Sequence, residues 1–498
     1  MILVHSARHF STVRFSQPDP AVRRRRFSVR SSLPLGTEKA KYHRELEAAV
    51  DAVERACSLC VEVQSSLLSS KRRVVEKNDQ TPVTVADFGV QALLSLELGK
   101  RFPSIPLVAE EDSAFVRSNN LVGPVFDAVI SKTSHGENPW TPDHVLEAID
   151  RGGQDGFTFG AQPATYWVLD PIDGTKGFVK GNQELYVVGL ALVVDGQIVL
   201  GVMGCPNWQN DVSNKSTSEV QEEKNTPPGS GIIMVAHTGC GTWTKRLSSV
   251  LNLTAKMRYS WTRCYVDGCC MVEEARYSIR ASDAWESYPL SALFTSTTSA
   301  DSIDEGQILL VKSCCGSLSK YIMVASGGVS LYMQNVKVQK VTKAWDHAAG
   351  IICVHESGGK VTDWKGDQIN LAADQLGRRN IYPSGGILVT NGNLHNRLVE
   401  MISSNSSTVS RGWVRWCIFF TNYNFLYSIA LIDRSFLNHV LSLVPILIGS
   451  MLASVIQPRA KPMKSGNKEP TCFNYSCYGC RSINSVLREF TDSFTYQH

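Results

Sequence analysis

From Tyr42 to Ser69, apolar residues recur at mostly three- and four-residue spacings, with Leu46, Val50, Val53, Cys57, Cys60 and Val61 in phase. That period predicts one long helix, and the folded part begins near Lys39. Lys71 to Asp79 is a polar break and reads as a loop. The run Pro82-Val83-Thr84-Val85-Ala86-Asp87 opens a second helix, carried on by Gln91, Leu94 and Leu98 and ended near Arg101-Phe102-Pro103. Next come two short apolar runs, Pro106 to Ala109 and Tyr166 to Leu169, each a predicted buried strand, with a helix over Pro142 to Ile149 between them. Val187 to Val194 and Gln197 to Met203 read as strands joined at Asp195-Gly196, a hairpin signal. Asn207 to Ser230 is polar and reads as an exposed loop.

The second half alternates again. Gly231 to Ala236 is a strand, and Gly239 and Gly241 beside Trp243 mark a turn. Ile308 to Val311, Ile322 to Ala325 and Val329 to Met333 are short apolar runs with turns between them. Trp345 to Glu356 is helical, with Asp346 near its start; Lys360 to Thr362 and Gly386 to Thr390 are strands; Asn393 to Ile402 is a helix. Strands and helices interleave, yet hairpins are present, which predicts a layered α/β or α+β fold.

Composition narrows the function. Over 498 residues, 43% apolar and 19% charged residues read as a soluble globular protein, and a net charge of +4 with mixed signs argues against a groove for a nucleic-acid polymer. The 14 cysteines are scattered, which favours free thiols in a reducing compartment. The adjacent pairs Cys269-Cys270 and Cys314-Cys315 point to opposite faces of a strand, so buried thiols are expected there and not a metal pair. Residues 1–37 carry Arg8, Arg14, Arg23, Arg24, Arg25, Arg26 and Arg30 against a single acid, Asp19, with frequent serine. That is the pattern of an organellar transit peptide, for a mitochondrion or a chloroplast. Beyond Ile402 the character changes. A polar linker, Ser403 to Ser410, leads to the apolar stretches Trp413 to Tyr427 and Leu437 to Ile456 and to Cys472, Cys477 and Cys480. This tail, 403–498, reads as an alternative C-terminus without a fold of its own; a membrane anchor, or a segment packed on the core, are the other readings.

The chemistry lies in carboxylates delivered at strand ends. Glu110 and Glu111 follow one strand; Asp170 and Asp173 flank Pro171-Ile172 after another, and Gly174 lets the chain turn sharply. Two carboxylates converging with the Ile172 carbonyl between them make a hard oxygen site suited to Mg²⁺. An Asx turn capping a helix is the plainer alternative for one aspartate, but not for the whole run.

The run Trp167 to Phe178 resembles the signature of the lithium-sensitive, magnesium-dependent phosphatase superfamily, which includes inositol monophosphatases and 3'(2'),5'-bisphosphate nucleotidases. Thr84 to Asp87, Ala109 to Ser113 and Trp345-Asp346-His347-Ala348-Ala349-Gly350 follow in the expected order, so the resemblance covers Tyr42 to Ile402. Lys176-Gly177-Phe178 is similar to the nucleotidase branch, in particular its organellar forms in plants. The resemblance implies a layered α-β-α-β-α sandwich in two halves, 38–230 and 231–402, with the site in the cleft between them. It implies two or three Mg²⁺ ions held by Glu110, Asp170, Asp173, Asp346 and the Ile172 carbonyl, with Asp87 binding a further metal or the attacking water. Thr175 would orient that water and Glu111 would stand just behind the ligands; no phosphoenzyme is expected. Asp173, Gly174, Thr175, Ser317, Lys320, Asp346 and His347 would meet the substrate. That substrate would be 3'-phosphoadenosine 5'-phosphate, or its 5'-phosphosulfate analogue, with inositol monophosphate or inositol polyphosphate 1-phosphatase activity as the alternative. The chain departs from the branch after Tyr332, where Met333 and Gln334 stand in place of a Leu-Arg pair; Lys337, Lys340 and Lys343 are nearby cations.

All the proposed ligands lie upstream of the tail. A chain ended at Ile402 is therefore expected to fold and retain turnover, with improved solubility. A folded but inactive product at saturating Mg²⁺ would refute this.

Overall fold

The computed structural model describes residues 41–70, 75–76, 82–133, 140–181, 184–209, 231–247, 261–298, 307–336 and 341–404, together with Leu33. The Arg-rich leader, most of the breaks at 71–79 and 207–230, Lys337, Lys340 and the tail beyond Ser404 lie outside these residues. Among the described residues, no helix is long and apolar enough to cross a membrane.

Helix α1 (His43–Ser70) buries Leu46, Val50, Val53, Cys57 and Cys60. Val61 sits off that stripe and is 39% exposed, because position 61 has rotated past the buried face. Helix α2 (Val85–Arg101) starts where the pattern placed it. Thr84 Oγ1 accepts from the Ala86 amide, and Asp87 Oδ2 accepts from the Thr84 amide at 2.8 Å, so a capping box fixes the first turn. The helix is buried on two sides. Val90, Leu93, Leu94 and Leu98 join α1 over a sheet, while Phe88, Ala92 and Leu96 pack against three further helices. Two of those, α3 (Ser113–Ser118) and α4 (Val122–Ile130), were not expected; the third is α5 (Pro142–Gly152).

The strands are numbered in chain order, and β1 (Val75–Glu76) and β2 (Pro82–Val83) form a small separate ladder. The first large sheet has the order β3 (Leu107–Ala109), β4 (Tyr166–Asp173), β5 (Val187–Val194), β6 (Gln197–Cys205), β7 (Ile232–His237), β8 (Gly241–Arg246), β9 (Thr262–Arg263). Only β3 and β4 run parallel. The β5–β6 turn has Asp195 at φ 51° and Gly196 at φ 80°, the pair of left-handed residues that a two-residue hairpin needs.

The second sheet has the order β11 (Thr295–Thr297), β12 (Gln307–Ser313), β10 (Arg276–Arg280), β13 (Leu331–Asn335), β17 (Gly386–Thr390), β15 (Lys360–Asp363); β14 (Thr342–Lys343) and β16 (Asn380–Ile381) pair separately. Between the two sheets lie α7 (Leu318–Ala325) and α8 (Ala348–Glu356), sharing one core with Ala191 and Met203 of the first sheet and Tyr332 and Val389 of the second. The far face of the second sheet buries Leu310, Leu331 and Leu388 against Leu398 and Ile402 of a helix over 395–404. The layers are thus α-β-α-β-α, as expected.

Three expectations need correction. Ile322 to Ala325 is not a separate apolar run but the second half of α7, an eight-residue helix with every residue buried, too short for the run alone to tell helix from strand. Helix α8 begins at Ala348, leaving Trp345, Asp346 and His347 ahead of it. The paired cysteines are not all buried thiols. Cys270 is exposed and Cys269 partly so, and Cys314 and Cys315 are half-buried in a turn.

The terminal helix is an integral layer. Leu398→Ala is expected to cost about 2–5 kcal/mol through lost contacts and a cavity, read as a lower urea midpoint. An unchanged midpoint would detach that helix from the core.

Candidate active site

Strand β4 ends in the run Asp170-Pro171-Ile172-Asp173. In a regular strand, residues three apart face opposite sides. Here Asp170 is opposite Gly189 and Asp173 opposite Val187, so three steps on β4 match two on β5. This bulge adds one residue and restores both carboxylates to one side. Pro171, which has no amide to donate, occupies the irregular stretch. Asp346, half-buried in the turn ahead of α8, joins them, and one carboxylate oxygen from each of the three lies within 4.8 Å of the others.

This convergence is electrostatically unfavourable. Burial drives the Asp170 carboxyl well above its ordinary pKa, and the charges of Asp173, Glu110, Asp346 and Asp87 push it further. Its Oδ1 is buried without a hydrogen-bond partner. Asp173 is also raised by burial, but is drawn back by amide hydrogen bonds and by Lys320 and Arg280. The Ser317 amide lies 2.8 Å from each Asp173 oxygen, and the Leu318 amide donates to Oδ2 at 2.6 Å. Gly316, at φ 69°, permits this approach: a Cβ there would stand 2.4 Å from Asp173 Oδ2.

Around the triad, a wider shell fixes the chain. Asp87 Oδ1 accepts from Thr175 Oγ1 at 3.0 Å, and the same hydroxyl lies 3.1 Å from the Ile172 carbonyl. Gly174, at φ 90°, makes the turn between β4 and α6 (Thr175–Lys180). At the end of β3, the side-chain amide of buried Gln91 donates to the carbonyls of Glu111 and Ile149 at 2.6 and 2.8 Å, and its oxygen accepts from the Glu111 amide. Arg379 donates to the carbonyls of Ala109 and Gly152, both at 2.8 Å, and lies over the Trp345 ring. It therefore ties the residue before Glu110 to the residue before Asp346. Glu110 is half-buried and acts on Asp170 through charge, though neither it nor Asp87 is in the 4.8 Å triad.

The comparisons with known proteins fit this geometry. The family model described as "Inositol monophosphatase family" matches residues 42–407. The chain belongs to the inositol monophosphatase family. It is 57% identical over 413 residues to the "Putative 3'(2'),5'-bisphosphate nucleotidase, mitochondrial" of Arabidopsis thaliana, covering 82% of this chain and all of that protein. It is 34% identical to "3',5'-bisphosphate nucleotidase 2" of the same plant, covering 70% of this chain and 93% of the relative. Among solved structures, the IMPase of Thermotoga maritima aligns at 18% identity over 74% of this chain and 99% of its own, with a TM-score of 0.44.

For this family member, the residues expected around the substrate divide into two groups. Asp173, Gly174, Thr175, Asp346 and Ser317 are contiguous with the carboxylate triad. Lys320 and His347 form the second group, set deeper in the protein. Lys320 is fully buried, and its Nζ donates to the carbonyls of Cys314, Cys315 and Gly316 at 2.9, 3.0 and 2.7 Å, which uses all three ammonium protons. Burial pushes its pKa down to about 7, against the pull of Asp173. His347 is also fully buried, with Nδ1 against the Tyr321 hydroxyl at 2.9 Å, and burial followed by Arg280 pushes its pKa down to about 3. Lys343 bonds Asn380 Oδ1 at 3.1 Å. Gln91, Arg280 and Arg379 were missed: Gln91 is a single polar residue in an apolar helix, Arg280 ends a short strand with charged ends, and Arg379 lies outside any helix or strand, so none carries a spacing signal.

The unpartnered Asp170 Oδ1 and the three converging oxygens fit a hard divalent cation. Without one, a raised Asp170 pKa means that the folded state holds its proton more tightly than the unfolded chain. Metal-free stability should then fall as pH rises from about 4 toward that raised value. Asp170→Asn is accordingly expected to raise the unfolding temperature in EDTA at neutral pH and to abolish the Mg²⁺-induced increase seen in wild type. A lower unfolding temperature in EDTA would remove the electrostatic argument.

Proposed function

We propose that this chain is a magnesium-dependent 3'(2'),5'-bisphosphate nucleotidase that hydrolyses 3'-phosphoadenosine 5'-phosphate to AMP and phosphate. The observation that carries the reading is the triad of buried Asp170 and Asp173 with half-buried Asp346, within a chain that matches a bisphosphate nucleotidase along that relative's whole length. Asp170, Asp173, Asp346, Glu110 and the Ile172 carbonyl would hold two or three Mg²⁺ ions. Bound Mg²⁺ supplies Lewis acidity toward the phosphate and lowers the pKa of water.

The protein's own part is positioning and proton handling. Thr175 Oγ1 and Asp87 Oδ1, 3.0 Å apart, form a hydroxyl–carboxylate pair beside the triad. Their roles are to orient the attacking water and to accept its hydrogen bond. Water adds at phosphorus, the bond to the 3'-oxygen breaks, and that oxygen takes up a proton. The Arg-rich segment at 1–37 and the word "mitochondrial" in the relative's name support an organellar, mitochondrial location.

The test is a substrate panel with purified protein, comparing 3'-phosphoadenosine 5'-phosphate, its 5'-phosphosulfate analogue and inositol monophosphate with and without Mg²⁺. The expected result is Mg²⁺-dependent release of phosphate and AMP from the bisphosphate, followed by chromatography. Rapid hydrolysis of inositol monophosphate with none of the nucleotide would replace this reading.

A further inference from the structure

Next to the triad, a cavity of about 400 Å³ opens, walled by Arg280, Asp283, Gln334, Thr342 and Asp346 among others. That volume lies in the roughly 300–1,000 Å³ range of small-ligand sites. Asp346 belongs to both the triad and the cavity, so the two are continuous. A nucleoside 3',5'-bisphosphate carries a second phosphate on the far side of its ribose. A dianion drawn out of water needs a cation and hydrogen-bond donors.

Among the described residues lining the cavity, Arg280 is the one cation. It stands at the end of β10, which runs parallel to β13 with Ser278 opposite Tyr332. Two positions further along each strand, Arg280 and Gln334 both reach the cavity. The guanidinium contacts Ser317 Oγ at 3.4 Å, and Ser317 in turn donates its amide to Asp173. A short chain of contacts therefore leads from a triad carboxylate to this cation. Gln334 is neutral, and its oxygen accepts from Tyr332 at 2.8 Å and Ser317 at 3.3 Å. Asp283, the other acid in the wall, has its oxygens taken by the Tyr288 and Ser282 hydroxyls at 2.8 and 3.2 Å. Lys320 has no proton left to offer.

We infer that Arg280 is the specificity-determining residue of the site, binding the substrate's distal phosphate from β10 through its planar pair of donors. This rests on the bisphosphate reading above and assigns the cation within it. A fixed charge at one end of the cavity and the carboxylate triad at the other set the distance between the two phosphates. A substrate with both groups is thereby aligned, and one with a single phosphate loses that alignment.

The experiment compares wild type, R280Q and R280K on 3'-phosphoadenosine 5'-phosphate and on adenosine 3'-monophosphate at saturating Mg²⁺. Loss of a charge-assisted bidentate contact should lower kcat/KM for the bisphosphate on the order of 30- to 100-fold in R280Q. The fall for the monophosphate should be at least about tenfold smaller, because that substrate does not use the contact and loses only the support that Arg280 gives Asp173 through Ser317. R280K, which keeps the charge but not the fork, should fall between on the bisphosphate alone. Parallel losses on both substrates would place Arg280 in the scaffold and overturn the proposal, as would unchanged selectivity in R280Q. A wild-type protein that ignores the bisphosphate but hydrolyses inositol monophosphate would instead overturn the parent reading.

Discussion

Like charges gathered in a buried place repel one another and lack the hydration that would offset them. In this protein that constraint is concentrated on Asp170, whose carboxyl feels four neighbouring acids. The bulge in β4, the turn at Gly174 and the approach of the 314–317 turn all serve to bring carboxylates together against that repulsion. The surrounding structure must therefore be stiff, and it is stiff for identifiable reasons. Gln91 secures the end of β3 with three buried hydrogen bonds, while Thr84 and Thr175 hold the two Asp87 oxygens separately.

Neutralisation is divided among groups of different kinds. Asp173 receives two backbone amides, which lower its pKa without adding a mobile charge. Asp170 receives nothing of that kind at Oδ1. The asymmetry distinguishes the two aspartates: Asp173 is largely set by the protein's own amides, whereas Asp170 keeps an unpartnered oxygen of the kind that suits a divalent cation. The ligands come from distant parts of the chain, with Asp346 176 positions beyond Asp170. A cation bound to both would thus favour the arrangement in which the segments are joined. Arg379 makes a comparable tie between the ends of β3 and the turn ahead of α8, without touching the carboxylates themselves.

Much of this was legible in the chain because the informative residues are contiguous. Asp170 to Gly174 is a single run at the end of an apolar strand, so chemistry and element could be read together. The capping box at Thr84 and the hairpin at Asp195-Gly196 are likewise local. What could not be read was long-range or hidden by uniform burial. Helix α7 has only eight residues, all buried, and its second half, Ile322 to Ala325, is an unbroken apolar run that suits a strand or a helix alike. Strand β10, Arg276–Arg280, has charged ends and only three buried residues, and its pairing partners β12 and β13 lie some thirty to fifty residues downstream. Its terminal arginine acquires meaning only once Ser317 and Gln334 are beside it.

Lys320 shows why residue type and local motif do not by themselves fix a role. Its position near Ser317 pointed to a phosphate contact, but its ammonium is enclosed by three successive carbonyls. Turning it toward a substrate would leave those carbonyls without their donor, at a cost of about 1–3 kcal/mol for each one that stayed buried. It would also release the turn whose amides hold Asp173. The lysine is therefore linked to Asp173 indirectly, through the backbone turn that it bonds and whose amides meet that carboxylate. A second phosphate then has to be met by a cation that reaches the cavity. Arg280, on a neighbouring strand and open to the cavity, satisfies that condition without disturbing the turn.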